Sequence, residues 1–148
     1  MNMEEFVKEI TIDEGVKHEV YLDHLGLPTV GVGHLITEWD EEYEKPVGTP
    51  VSKERVQHLL KQDIHVTIEE CKKLYDDFDV LPVDVQHIIA NMMFNMGRPR
   101  LSQFKNMKKA VDKRDWYEAA YEMTNSKWCQ QVPKRAHRLI QRMQDVQT

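Results

Sequence analysis

The chain has no apolar run approaching the ~20 residues that a membrane-spanning helix needs, so membrane insertion is not expected. Its first residues, Met1-Asn2-Met3-Glu4-Glu5-Phe6, are acidic and hold no apolar signal core, which predicts synthesis without an export tag. Only two cysteines occur, Cys71 and Cys129, far apart and in no metal-like spacing. They read as two reduced, partly buried thiols of a cytosolic protein rather than as a disulfide. Seven histidines are present without ligand spacing, so no metal is expected. Repeats and low-complexity tracts are also absent.

What remains has the composition of a soluble globular protein, 41% hydrophobic and 30% charged over 148 residues. That length predicts one domain, with room for two lobes and a real core. The net charge of −5 is unevenly spread. Residues 1–97 hold 8 Lys/Arg against 20 Asp/Glu, while residues 98–142 hold 12 against 4. Such a split points to a polyanion facing the basic part, or to basic residues that merely decorate solvated helix faces. No helix-turn-helix spacing, zinc knuckle or interleaved aromatic strand is present to read bases, so nucleic acid is not expected. A sugar polymer bearing carboxylates fits the charge equally well.

Hydrophobic spacing predicts a helix over residues 3–13, with apolar positions Met3, Phe6, Val7 and Ile10 and Gly15 placed to stop it. Residues 20–22 and 29–32 read as short strands joined by the turn chemistry of Asp23-His24-Leu25-Gly26. Residues 38–50, acidic and holding two prolines, read as an exposed loop. Ser52 is placed to cap a long helix from residue 53 to about 76, about 35 Å in length. Asp63 lies on its apolar stripe of Val56, Leu59, Leu60, Ile64 and Cys71, and a carboxylate there requires a partner. Pro82 opens a methionine-rich apolar helix that Gly97 ends. Shorter helices are expected at 102–111, 115–123 and 133–143, giving an α+β fold that is mostly helical with one small N-terminal sheet.

The Gly-rich hairpin carries Glu14, Asp23 and Thr29 where neither helix nor strand core needs them. Glu14 falls at the C-terminal end of a helix, whose partial negative charge favours a protonated carboxyl, as a general acid requires. Asp23 falls among turn N–H groups that favour ionisation. Two carboxyl groups in contrasting environments suit glycosidic bond cleavage, and Thr29 is placed to hold a water. On spacing alone, a surface Glu, a turn Asp and a strand Thr are equally ordinary structural residues.

The order Glu14, eight residues, Asp23, five residues, Thr29, followed at once by VGVGH, resembles the active-site hairpin of the T-even phage lysozymes. The similarity continues through DEG at 13–15, GHL at 33–35, KQD at 61–63, NMMFNMG at 91–97, RDWYEAA at 114–120 and SKWCQQVPKRAHRLI at 126–140. The resemblance implies a two-lobed lysozyme-like fold: an N-terminal lobe over about 12–55, a linking helix over about 53–76, and a C-terminal helical lobe over about 80–148 that includes the first helix. It implies cleavage, with inversion, of the bond between N-acetylmuramic acid and N-acetylglucosamine in bacterial peptidoglycan. Glu14 would act as acid, Asp23 would activate water and Thr29 would place it. Arg135 would pair with the acid, and Leu35, Phe94, Asn95, Met107 and Glu122 would fall at sugar-contact positions. At Asn95, Met107 and Glu122 the residue types differ from the family's. The segment between His34 and Ser52 is shorter than in the best-known members. His34 and Asp63 would form a structural ion pair. No cofactor is implied. A monomeric phage endolysin would wait in the host cytoplasm until a holin opens the inner membrane. A lytic transglycosylase, or a lysozyme-like module that only binds wall or tail components, is the competing reading.

Overall fold

A computed structural model of the chain describes residues 1–147. It is α+β, with eight α-helices and one three-stranded antiparallel sheet among the described residues. Two compact units divide the chain, one spanning residues 2–66 and one from residue 67 onward. No helix among the described residues is long and apolar enough to cross a membrane.

The first unit opens with α1 (Met3–Glu14), capped by the Asn2 side chain, which accepts the Glu5 N–H at 3.1 Å. Phe6 and Ile10 fill its buried face, and Gly15 stops it in a left-handed conformation (φ 75°) that strains any residue with a Cβ. The helix lies in the same unit as the sheet that follows it after two residues. Strands β1 (Lys17–Leu22), β2 (Pro28–Gly31) and β3 (His34–Leu35) form a meander in that order. Direct pairing of Tyr21 with Thr29 and of Thr29 with Leu35 puts these three side chains in one row.

Residues 38–50 form the mostly exposed loop that their composition suggests, but two of their acidic residues, Asp40 and Glu42, are tied down within it. Glu42 is 6% exposed because Arg55 grips it with two 3.0 Å hydrogen bonds, Nε to Oε2 and Nη2 to Oε1. The end of the segment runs along β1: Val20 N–H donates to the Thr49 carbonyl, Gly48 N–H to that of Val20, and Val51 N–H to that of His18. It thereby satisfies an edge that would otherwise be open to pairing.

Helix α2 (Lys53–Leu74) starts at Ser52, whose hydroxyl accepts the Arg55 N–H, and the boundary between the units falls within it. It ends slightly earlier than its apolar pattern suggests, and a short 3-10 turn (Phe78–Val80) follows, held by Gln86 Nε2 donating to the Phe78 carbonyl. In the second unit α3 (Val83–Met96) is buried on nearly every side. Around it run α4 (Arg98–Leu101), α5 (Lys105–Asp112), α6 (Trp116–Thr124), α7 (Lys127–Gln131) and α8 (Pro133–Gln144). Met92, Leu101, Met107, Met123 and Leu139 close the core between them.

Candidate active site

Glu14 is the last residue of α1, so the helix end expected for it is where it lies. A Cβ at Gly33, in the turn between β2 and β3, would stand 2.7 Å from Glu14 Oε1. The carboxyl group therefore rests against the bare backbone of Gly33, itself at φ 65°.

Asp23 follows β1 directly and folds the turn around its own side chain. The N–H groups of Leu25 and Leu27 both donate to Oδ1, at 2.8 and 2.9 Å. The Leu27 N–H, with that of Leu25 adding to it, holds this carboxyl below the usual carboxylate range. Thr29 is buried on β2, and its hydroxyl donates to the Leu27 carbonyl at 2.8 Å. One turn, Leu25 to Leu27, thus anchors both the carboxylate and the hydroxyl.

Tyr21 did not stand out in the sequence. Burial pushes its phenol up, the charges of Glu14 and then Asp23 push it further, and the Gly33 N–H, donating to the phenol oxygen, opposes them. Lys17 Nζ lies 4.5 Å from its ring centroid. The only sequence sign was position: Tyr21 stands two residues before Asp23, near the end of the strand that leads to it.

His34 begins β3 with both ring nitrogens on carboxylates, Nδ1 at 2.7 Å from Asp63 Oδ2 and Nε2 at 2.8 Å from Asp40 Oδ2. Asp40, inside the segment read as an exposed loop, also accepts the Thr37 N–H and lies 3.7 Å from Arg55 Nη2. Burial disfavours the imidazolium, but hydrogen bonds and charge from Asp63 and Asp40 outweigh it and raise His34 to about 9. Leu35 follows, half exposed at the end of the Tyr21–Thr29 row.

The remaining candidates belong to the second unit. Arg135 is buried on α8 rather than displayed on the surface, with Nε donating to Asn91 Oδ1 at 2.8 Å. Phe94 and Asn95 lie half-buried at the end of α3, and Asn95 Oδ1 accepts the Trp128 indole N–H at 2.8 Å. Met107 and Glu122 line one cavity of about 350 Å³ together with Trp128, and Arg100, Lys105 and Lys127 stand at it as well. Met107 itself is fully buried. No cluster of His, Cys, Asp or Glu suited to a metal occurs among the described residues.

The phage lysozyme family model matches residues 11–145. Probable T4-type lysozyme 2 of Dictyostelium discoideum is 34% identical over 147 residues, with 86% of each chain covered. The peptidoglycan hydrolase gp36 of Pseudomonas phage phiKMV is 30% identical across 92% of this chain, which corresponds to 15% of that protein. The pre-baseplate central spike protein Gp5 of Enterobacteria phage T4 is 28% identical across 94% of this chain and 27% of its own.

Proposed function

Since the chain belongs to the phage lysozyme family, we propose that it is a muramidase that hydrolyses the bond between N-acetylmuramic acid and N-acetylglucosamine in bacterial peptidoglycan, with inversion. The observation that carries the reading is the contrast between its two carboxyl groups. Glu14 ends a helix against a glycine backbone, and Asp23 is clamped as an anion by two N–H groups on one oxygen.

Glu14 donates its proton to the leaving glycosidic oxygen while positive charge develops on the sugar ring. The Asp23 carboxylate offers its other oxygen to a water and takes that water's proton as it attacks the opposite face. Thr29 has committed its own proton to the Leu27 carbonyl, so its hydroxyl oxygen presents lone pairs to the same water. Arg135 is the cation assigned to the acid, and Leu35, Phe94, Asn95, Met107 and Glu122 are assigned to the glycan. As a monomeric endolysin the protein would reach the wall after a holin opens the inner membrane. The likeness to part of the phage T4 spike protein favours a second setting, a lysozyme module carried on a larger assembly.

Clearance of chloroform-treated Gram-negative cells tests the activity. Wild type should clear them, and Glu14→Gln and Asp23→Asn should each be slower by at least ~10³-fold, the scale lost when an essential acid or nucleophile-activating group is removed. Mass spectrometry of the products should find reducing ends. Finding 1,6-anhydro ends instead would establish a lytic transglycosylase, and failure of wild type and Glu14→Gln alike to clear the cells would favour a binding module.

A further inference from the structure

Trp39 is 87% exposed, whereas the other two tryptophans, Trp116 and Trp128, are 6% and 2% exposed. An indole offers one of the largest apolar surfaces of any side chain, and this one is left in water. It is carried on a braced turn. Trp39 N–H donates to Thr37 Oγ1 at 3.3 Å, and Asp40 N–H donates to the Thr37 carbonyl at 3.0 Å. Asp40 Oδ2 accepts the Thr37 N–H and the His34 Nε2–H, both at 2.8 Å. The His34 bond ties the residue after Trp39 to the residue before Leu35, which is assigned to the glycan. Four residues of chain span at most about 14 Å, so Trp39 and Leu35 lie within one short stretch of glycan. Tyr43, half exposed, follows in a second turn built on Asp40, whose carbonyl accepts the Tyr43 N–H at 3.1 Å.

Charge and area choose the occupant. Exposed Glu38 and Glu41 flank the turn, so an anionic membrane surface or a nucleic acid is repelled. Two aromatic rings of about 150–250 Å² each fall short of the ~800 Å² per partner that a stable protein interface buries. A sugar ring matches them in size. Its weakly positive C–H face lies against the negative face of the indole, and its hydroxyls donate to carboxylates at the edge. N-acetylglucosamine brings no charge, whereas N-acetylmuramic acid brings a carboxylate or an acidic peptide that Glu38 and Glu41 oppose. We propose that Trp39 is a substrate-binding residue that stacks on an N-acetylglucosamine ring of the glycan, beyond the sugar held at Leu35. It grips the strand equally before and during bond cleavage, so it sets KM and not kcat. This inference rests on the hydrolase reading.

Acrylamide quenching of fluorescence reads the contact directly, because the quencher reaches Trp39 and not the two buried indoles. Peptide-free glycan strands at saturation, added to full-length Glu14→Gln so that cleavage is slow, should lower the quenching constant about threefold. Trp39→Ala in the same background should remove both the quenchable fraction and that response. In the active chain Trp39→Ala should raise the KM for walls about fivefold with kcat within about twofold, and Trp39→Tyr should restore most of the loss. A response of equal size in the Trp39→Ala chain belongs to Trp128 and overturns the proposal. Undiminished quenching, an unchanged KM, or protection by anionic vesicles or rising protein concentration in place of glycan overturns it too. A wild type that releases no reducing ends removes the hydrolase reading as well, whereas an active wild type whose Trp39 stays quenched ends this inference alone.

Discussion

His34 shows what one residue contributes when two carboxylates share it. Its folded-state value of about 9 lies above the ordinary 6.5, so the stabilisation is fully present below about pH 6.5 and is lost as pH rises through about 9. At about 1.36 kcal/mol per unit this is on the order of 3 kcal/mol, with the His34 side chain only 12% exposed. Asp40 acts in the opposite direction. Burial works against its charge, but the Thr37 N–H and His34 hold it below the usual range, so its share is lost as pH falls through the acid region. Urea unfolding should therefore give greatest stability near pH 5–6.5, with a decline toward pH 9–10 that His34→Asn flattens. His34→Asn and Asp63→Asn should each destabilise at pH 6, and the double variant should cost well under their sum. Full additivity would mean the 2.7 Å contact contributes nothing. Asp40→Asn should show the same coupling to His34. Gly33→Ala is a different case, because the new Cβ meets the far end of the Glu14 side chain, 2.7 Å away, at a φ of 65°. The side chain can swing clear, so the expected loss of stability is about 1–2 kcal/mol from the backbone alone, with hydrolysis reduced at least tenfold. The places of Glu14, Asp23 and Thr29, at a helix end, a turn and a strand, were legible because each follows from local chemistry. Asp40 was not, because an acidic stretch with two prolines reads as solvated until its histidine and arginine partners are placed. Tyr21 was not, because a strand tyrosine looks like any half-buried aromatic.

The secondary-structure elements that could be read early share one property: each is long enough to show a period, or is bounded by a residue with local chemistry. Gly15, Ser52, Pro82 and Gly97 mark the ends of α1, α2 and α3 to within a residue or two. β3, with two residues, and α7, with five, are too short for any period, and tertiary pairing makes them. The stretch before α8 was read as a connection, yet the Ser126 hydroxyl accepts the Cys129 N–H and caps α7 there. Likewise the helix expected at 102–111 begins only at Lys105, as α5, since Phe104 stands before it in a non-helical conformation, and the short α4 precedes it. The segment 38–50 is a loop, as expected, and what its composition did not show is the buried Glu42–Arg55 pair inside it. The hydrogen bond from Arg55 holds the Glu42 carboxyl below its usual range, against the effect of burial. Removing one member of a buried pair strands the other, at about 3–5 kcal/mol in a deep interior. With the Arg55 side chain 19% exposed, Glu42→Gln should cost nearer ~2 kcal/mol at neutral pH. Because Glu42 is depressed from 4.5, its contribution is present above that pH, and the gap between wild type and Glu42→Gln should narrow below about pH 4. Chemical denaturation across pH 3–7 measures it, and a gap independent of pH would assign the effect to packing instead.

Across the whole molecule the charge asymmetry is real in sequence and partly absorbed in structure. Arg98, Lys108, Arg114 and Arg142 are held by Glu70, Asp112, Asp77 and Asp84. Such pairs cancel at short range, so those four contribute little field at a distance. Arg100, Lys105 and Lys127 differ: they stand together at the 350 Å³ cavity, beside Trp128 and a single acidic neighbour, Glu122. An aromatic wall with cations around it suits a carboxylate-bearing glycan better than either feature would alone. Replacing all three cations, as Arg100→Gln/Lys105→Gln/Lys127→Gln, removes three positive charges without adding bulk. Retention on purified cell walls at about 20 mM salt should fall at least tenfold, and the apparent KM for wall suspensions should rise accordingly. The value of kcat should hold, because none of the three belongs to the set that handles the proton or the water. At about 1 M salt the Debye length contracts to ~3 Å, so a long-range field is extinguished and the two proteins should bind alike. If the difference survives there, the cations act by direct hydrogen bonds to the glycan. If no difference appears even at low salt, the basic half of the chain is solvated decoration and the acidic polymer is recognised elsewhere.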